Sequence, residues 1–151
     1  MGIRVYRARE SEIATAYGIV DEYYRVASVI VREDADDFAK EYFGSARGVW
    51  LAEVDGETVG CIALRRLTGK PGCAEIKRLY VRPCYRGQGL ADLLLAALES
   101  YARESGYRWL YLDTAADMKA ATRFYKRQGF SSCERYNENP QAAIFMSKAI
   151  S

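Results

Sequence analysis

The chain has 151 residues, half of them hydrophobic and 28% charged, with a formal net charge of +2. Those figures describe one globular domain over 1–151 with enough apolar residues for a core, and exclude disordered and fibrous classes. Four cysteines without a Cys-x-x-Cys pair and the lack of any histidine argue against a disulfide framework and against a metal site.

In chain order, the alternating segment 3–8 predicts a first strand near a sheet edge. Ser11 and its neighbouring glutamates open a helix whose apolar positions 13, 16, 20, 23 and 27 keep a helical period. A second helix is expected over 34–43, with Asp34, Asp36 and Asp37 at its start, where the helix dipole favours them. Asp55-Gly56 is a strong turn signal between strands at 48–54 and 58–66. Lys70-Pro71-Gly72 turns the chain into a strand at 73–81. A helix over about 89–105 presents Leu90, Leu94, Leu98 and Tyr101 on one face and stops at Gly106. The segment 109–112 reads as a buried strand parallel to the previous one, which makes a βαβ crossover. A helix over 117–128 ends at Gly129, and strands at 130–136 and 142–147 flank an Asn137-Glu138-Asn139-Pro140 turn. The expected fold is α/β (α+β): a mixed, mostly antiparallel sheet of about seven strands flanked by about four helices.

The longest apolar run, 91–98, is interrupted by Asp92 and is far short of a membrane span. The first residues lack the apolar core of a secretory signal, so a reduced, cytoplasmic protein is expected. Charge is uneven: residues 1–60 carry 7 basic and 12 acidic side chains, and residues 61–151 carry 15 and 8. No basic stripe is interleaved with aromatics, so nucleic acid is not an expected partner. A basic half suits an anionic ligand; the acidic half either attracts a cationic one or is solvated surface.

The most informative stretch runs from Val81 to Ala91. The glycines at 87 and 89 remove side chains where the backbone turns, and the first N–H groups of the following helix have no partner within it. A strand, a glycine-rich turn and a helix N-terminus in that order can cradle a phosphate, with Arg82 and Arg86 beside it. The plainer alternative is a glycine turn capping an ordinary βα junction. A Walker A loop would need Gly-Lys-Ser/Thr, and a dinucleotide fingerprint a third glycine; neither is present.

What does fit is Arg/Gln-x-x-Gly-x-Gly/Ala, read as Arg86-Gly87-Gln88-Gly89-Leu90-Ala91. This resembles the acyl-CoA pyrophosphate loop of the GNAT superfamily of N-acetyltransferases. Glu75-Ile76-Lys77-Arg78-Leu79-Tyr80-Val81-Arg82-Pro83 before the loop is similar to the family's central motif. Ala121-Thr122-Arg123-Phe124-Tyr125, continuing to Gly129-Phe130, is similar to its C-terminal motif. The likeness covers 48–148 well and the first 45 residues in outline.

The resemblance implies acetyl-CoA (CoA) as co-substrate, without a metal, and direct attack by an amine in a ternary complex. It implies that the strands on either side of the loop splay, so that the pantetheine arm lies between them against the backbone of Leu79, Tyr80 and Val81. An N–H there, of Leu79 or Tyr80, would meet the thioester oxygen as charge develops. An alkylammonium near pKa 10.4 must also lose its proton, at roughly 4–5 kcal/mol at neutral pH. Glu75 stands where many of these enzymes carry a carboxylate for that task. Alternation puts it on one face with Lys77, Leu79 and Val81, and an ion pair with Lys77 is the competing role. Tyr125 shares a helix face with Ala121 and Phe124; by resemblance its hydroxyl donates to the departing thiolate. Three residues before Ala121 the family usually has Asn, and here Met118 stands. Cys84 lacks an evident base to activate it as a nucleophile.

The acceptor is expected to be a small-molecule or peptide amine. Tyr23, Tyr24, the Asp34–Asp37 cluster and the turn at 136–139 are the candidate rim. A homodimer is a frequent assembly in the family. The rival reading is a non-catalytic acyl-CoA sensor or assembly protein of the same fold.

Overall fold

The computed structural model describes residues 2–30 and 32–151. Seven strands form one sheet: β1 (Ile3–Arg7), β2 (Gly48–Val54), β3 (Glu57–Arg66), β4 (Cys73–Val81), β5 (Trp109–Thr114), β6 (Ser131–Ser132) and β7 (Ile144–Ala149). Their order is β1-β2-β3-β4-β5-β7-β6. Only β4 and β5 are parallel; every other pairing is antiparallel. The helices are α1 (Ile13–Val26), α2 (Ala35–Tyr42), α3 (Leu90–Glu104) and α4 (Lys119–Arg127). None of the helices is long and apolar enough to cross a membrane.

Alternation along the strands feeds two hydrophobic clusters, one on each face of the sheet. On one face Leu90, Leu94, Leu95 and Leu98 of α3, with Phe124 and Tyr125 of α4, pack on Trp50, Ile62 and Leu64. On the other, Ile19, Val20 and Tyr24 of α1 and Phe38 and Tyr42 of α2 pack on Val49, Leu51 and Ala63. The buried stripe of α1 is Ala16, Ile19, Val20 and Tyr24, rotated from the sequence expectation at 13, 23 and 27. The Asp55-Gly56 turn has φ of 51° and 84° at its two central residues, as a two-residue hairpin requires.

Two local departures shape the site. First, β4 carries a bulge. Cys61 faces Tyr80 and Ala63 faces Lys77, so Ile62 alone opposes Arg78 and Leu79. Arg78 takes φ of 60°, uncommon for a residue with a side chain. The extra residue reverses the alternation: Ala74, Ile76 and Val81 point into the α3 cluster, and Tyr80 into the α1–α2 cluster. Glu75 and Lys77 therefore do not share a face with Val81, contrary to the unbroken alternation read from the sequence.

Second, the parallel ladder is short. It joins Cys73, Ala74 and Glu75 to Trp109, Leu110 and Tyr111 and then stops. Beyond it β4 stays with β3, while β5 follows β7 as far as Thr114 opposite Ile144. The strands open like a V, and Ala121 and Tyr125 of α4 border the space between them.

The C-terminal hairpin also differs from expectation. The predicted strand over 130–136 shrinks to Ser131–Ser132. Residues beyond it leave the sheet because Tyr136 and Asn137 find stronger partners over the V, in the carboxylates of Glu75 and Asp113.

Candidate active site

A cavity of about 280 Å³ occupies the V between β4 and β5. Leu79 from β4, Asp113 from β5, Met118 at the N-cap of α4, Tyr125 from α4 and Tyr23 from α1 all border it. The α4 helix is set by its own sequence. Apolar Ala121, Phe124 and Tyr125 are one turn apart, and Gly129 at φ of 95° ends it. The Tyr125 ring is wedged edge-on between Phe124 and Phe130, each with its centroid 5.3 Å away. Its hydroxyl donates to no acceptor among the described residues and faces the cavity. Burial, reinforced by nearby Tyr23, pushes that hydroxyl well above the ordinary tyrosine value, so it stays protonated.

Past β4 the chain makes a short 3-10 turn over Pro83–Tyr85 and enters α3 through Gly87 and Gly89. Both glycines have positive φ, 79° and 82°, and a Cβ built on either would meet open space. These positions demand glycine for backbone reasons and leave room outside the loop for a ligand. None of the N–H groups from Gly87 to Ala91 is paired with an acceptor among the described residues. They lie at the positive end of a fifteen-residue helix. Arg86 is exposed and folds back, its Nε donating to the Val81 carbonyl at 2.9 Å. Arg82 does not serve the loop. Its guanidinium spans Glu22, at 3.0 Å, and Glu57, at 2.8 Å, and so ties the end of β4 to α1 and to the β2–β3 hairpin. Tyr80 joins the same knot through a 2.7 Å bond to Glu22.

Glu75 lies at the vertex, with a side chain only 1% exposed, and does not border this cavity. One carboxylate oxygen takes Arg65 at 2.8 Å; the other takes the Tyr136 hydroxyl at 2.7 Å and the Asn137 amide at 3.2 Å. Lys77 approaches at 3.4 Å. Both oxygens are thus fully engaged within the protein. Two carboxylates do border the cavity, Asp117 and Asp113, and Asp113 is held by Lys77 at 3.2 Å and by the Asn137 and Asn139 amides. Burial pushes the Asp113 carboxyl up, but the Lys77 charge and the two amides outweigh it and hold the group below its ordinary value. Asp113 was not among the residues singled out from the sequence. Its one signal is position, at the carboxyl end of a parallel strand, where α/β sheets collect ligands.

A second cavity, about 370 Å³, adjoins the first across Lys77, Arg78 and Asn139, which border both. Tyr23 lies on the first cavity, while Tyr24 is buried and donates to Glu33. The aspartate cluster expected at the rim borders neither cavity. Asp34 instead caps α2, accepting from the Asp37 N–H at 2.8 Å.

Tyr125 borders the cavity where β4 and β5 part; the glycine loop with its open N–H groups follows β4 and borders neither cavity. The model of the acetyltransferase (GNAT) family matches residues 14–130. The chain belongs to this family. A Schizosaccharomyces pombe protein named an uncharacterized N-acetyltransferase is 41% identical over 100 residues, 65% of this chain and 61% of that protein. The chain thus spans about three fifths of that relative's length. Among solved structures, a GNAT-family acetyltransferase from Staphylococcus aureus Mu50 matches 99% of this chain and 100% of its own, with TM-score 0.84 and 20% identity. The Salmonella typhimurium protein yncA, solved with its cofactor acetyl-CoA, matches 100% of this chain and 95% of its own, with TM-score 0.79 and 19% identity. At those identities the two structures establish a common GNAT fold.

Proposed function

We propose that this chain transfers an acetyl group from acetyl-CoA to an amine, which attacks the thioester directly in a ternary complex. The observation that carries the reading is the free Tyr125 hydroxyl inside the cleft that opens where β4 parts from β5. In the reaction a nitrogen–carbon bond forms and the carbon–sulfur bond breaks; one proton leaves the amine and one reaches the thiolate.

Each demand has a candidate residue. The N–H groups of Gly87, Gln88, Gly89, Leu90 and Ala91, with Arg86 beside them, suit a pyrophosphate. The backbone of Leu79, Tyr80 and Val81 is the edge along which the pantetheine arm would lie, with an N–H of Leu79 or Tyr80 toward the thioester oxygen. Tyr125 keeps its proton until charge develops on sulfur and donates to it. Asp113, ionised and facing the cleft, takes the amine proton through water. Glu75, with both oxygens engaged, acts as a positioning residue that fixes Lys77, Tyr136 and Asn137 around Asp113.

Calorimetric titration with acetyl-CoA and ATP, followed by thiol release over a panel of amines, tests this reading. Saturable acetyl-CoA binding with ATP silent, and thiol release with at least one amine, is the expected result. Binding of acetyl-CoA without thiol release from any amine would instead support the sensor reading. ATP binding in its place would remove the acyl-CoA assignment.

A further inference from the structure

We propose that the acceptor is a small amine that also carries a carboxylate, which Arg78 and Arg32 hold in the second cavity. This proposal rests on the acetyl-transfer reading above and specifies its second substrate.

The walls of that cavity are predominantly cationic. Arg32, Arg65, Lys77 and Arg78 border it, against the two carboxylates of Glu33 and Glu138. The decisive point is which of these cations already have anionic partners. Arg65 is shared between Glu75 at 2.8 Å and Glu41 at 3.0 Å. Lys77 lies between Asp113 and Glu75. Both are saturated.

Arg78 is not. Only its Nη2 is used, toward Glu33 at 2.8 and 3.0 Å, and its Nε is buried with no acceptor. Its Nη1 also makes no bond among the described residues and, unlike Nε, is not fully buried, so it is the nitrogen open to an incoming anion. Glu33 has no capacity to spare, since Tyr24 and Tyr42 also donate to its carboxylate. Arg32 is the second open cation. It is exposed and donates only to the backbone carbonyls of Val29 and Tyr24, without a carboxylate partner among the described residues.

Position gives the pair its meaning. Arg78 sits on the β4 bulge and borders both cavities, so it stands between the acetyl-transfer cleft and the acceptor space. A carboxylate engaged by Arg78 and Arg32 would direct an amine on the same small molecule past Lys77 toward Asp113. The cavity suits a molecule of amino-acid size. A polycation would meet Arg32 and Arg78 with like charge; of the carboxylates only Glu33, which Arg78 already engages, and Glu138 border the cavity, while Asp34, Asp36 and Asp37 do not.

The test is thiol release from acetyl-CoA with free L-amino acids, each paired with its C-terminal amide, and with a linear polyamine and short peptides as further acceptors. The best amino acid should exceed its own amide in kcat/KM by at least about tenfold, chiefly through KM. In Arg32→Gln, an exposed position whose loss spares the fold, that ratio should fall toward one while the KM for acetyl-CoA holds. Arg78→Lys, which keeps a cation beside Glu33, should lower the ratio too. An amide equal to its acid, a preferred polyamine or peptide, or a ratio that Arg32→Gln leaves unmoved would overturn the acceptor class and leave acetyl transfer standing. Thiol release from none of these acceptors, with acetyl-CoA bound, would overturn the transfer reading and this proposal together.

Discussion

Asp113 and Glu75 are two carboxylates joined through Asn137 that meet the cavity differently. Glu75 gives every lone pair to a protein donor and borders neither described cavity; Asp113 has a comparable set of partners yet borders the cleft. Asp113→Asn should therefore lower kcat/KM by about a hundredfold with acetyl-CoA affinity kept, as read by thiol release and calorimetry. The same group has a stability signature. A carboxyl held below its ordinary value contributes stability above about pH 4 and loses it as the pH falls through the lowered folded value. The stability gap between the wild type and Asp113→Asn, measured by urea unfolding, should narrow steadily below about pH 4. A gap that is constant or widens under acid would contradict the Lys77–Asp113 assignment.

At the scale of elements, β4 does most to create the site, and its two irregularities were the least legible part of the sequence. Its bounds, 73–81, follow from the turn signal at Lys70-Pro71-Gly72 and from the loop that succeeds it. The bulge does not, because Arg78 is neither glycine nor asparagine and carries no local cue for φ of 60°. Its cause is tertiary: the guanidinium reaches Glu33 across the sheet. The loss of strand over 133–136 has the same origin, in Tyr136 and Asn137 bonding to the vertex. That vertex network can be tested as a unit. Glu75→Ala should cost about 3–5 kcal/mol in denaturant unfolding by removing the buried partner of Arg65 and Lys77. Glu75→Gln, while folded, should keep kcat within about tenfold and retain the wild-type pH–rate profile. A folded Glu75→Gln without turnover would return the proton-accepting role to Glu75.

Across the whole molecule, the charge imbalance between the two parts of the sequence acquires a structural meaning that composition alone did not suggest. Four of the twelve acidic residues in the first sixty positions meet arginines of the remainder: Glu22 and Glu57 bind Arg82, Glu33 binds Arg78, and Glu41 binds Arg65. These pairs fasten α1, α2 and the β2–β3 hairpin onto β3 and β4, so part of the asymmetry is used internally. The element order was legible because periodicity, Asp55-Gly56 and the helix-ending glycines are local signals. Ion pairs across 24 to 60 residues are not local, and neither is the cavity they shape. In the proposed reaction this cleft performs acyl transfer with Tyr125 as proton donor. That role is tested most directly by measuring thiol release and acetyl-CoA affinity on the same preparations of wild type and Tyr125→Phe. Turnover should fall by about 10²–10⁴-fold while the Kd for acetyl-CoA stays within about twofold. Wild-type turnover in Tyr125→Phe, with affinity equally unchanged, would contradict the claim.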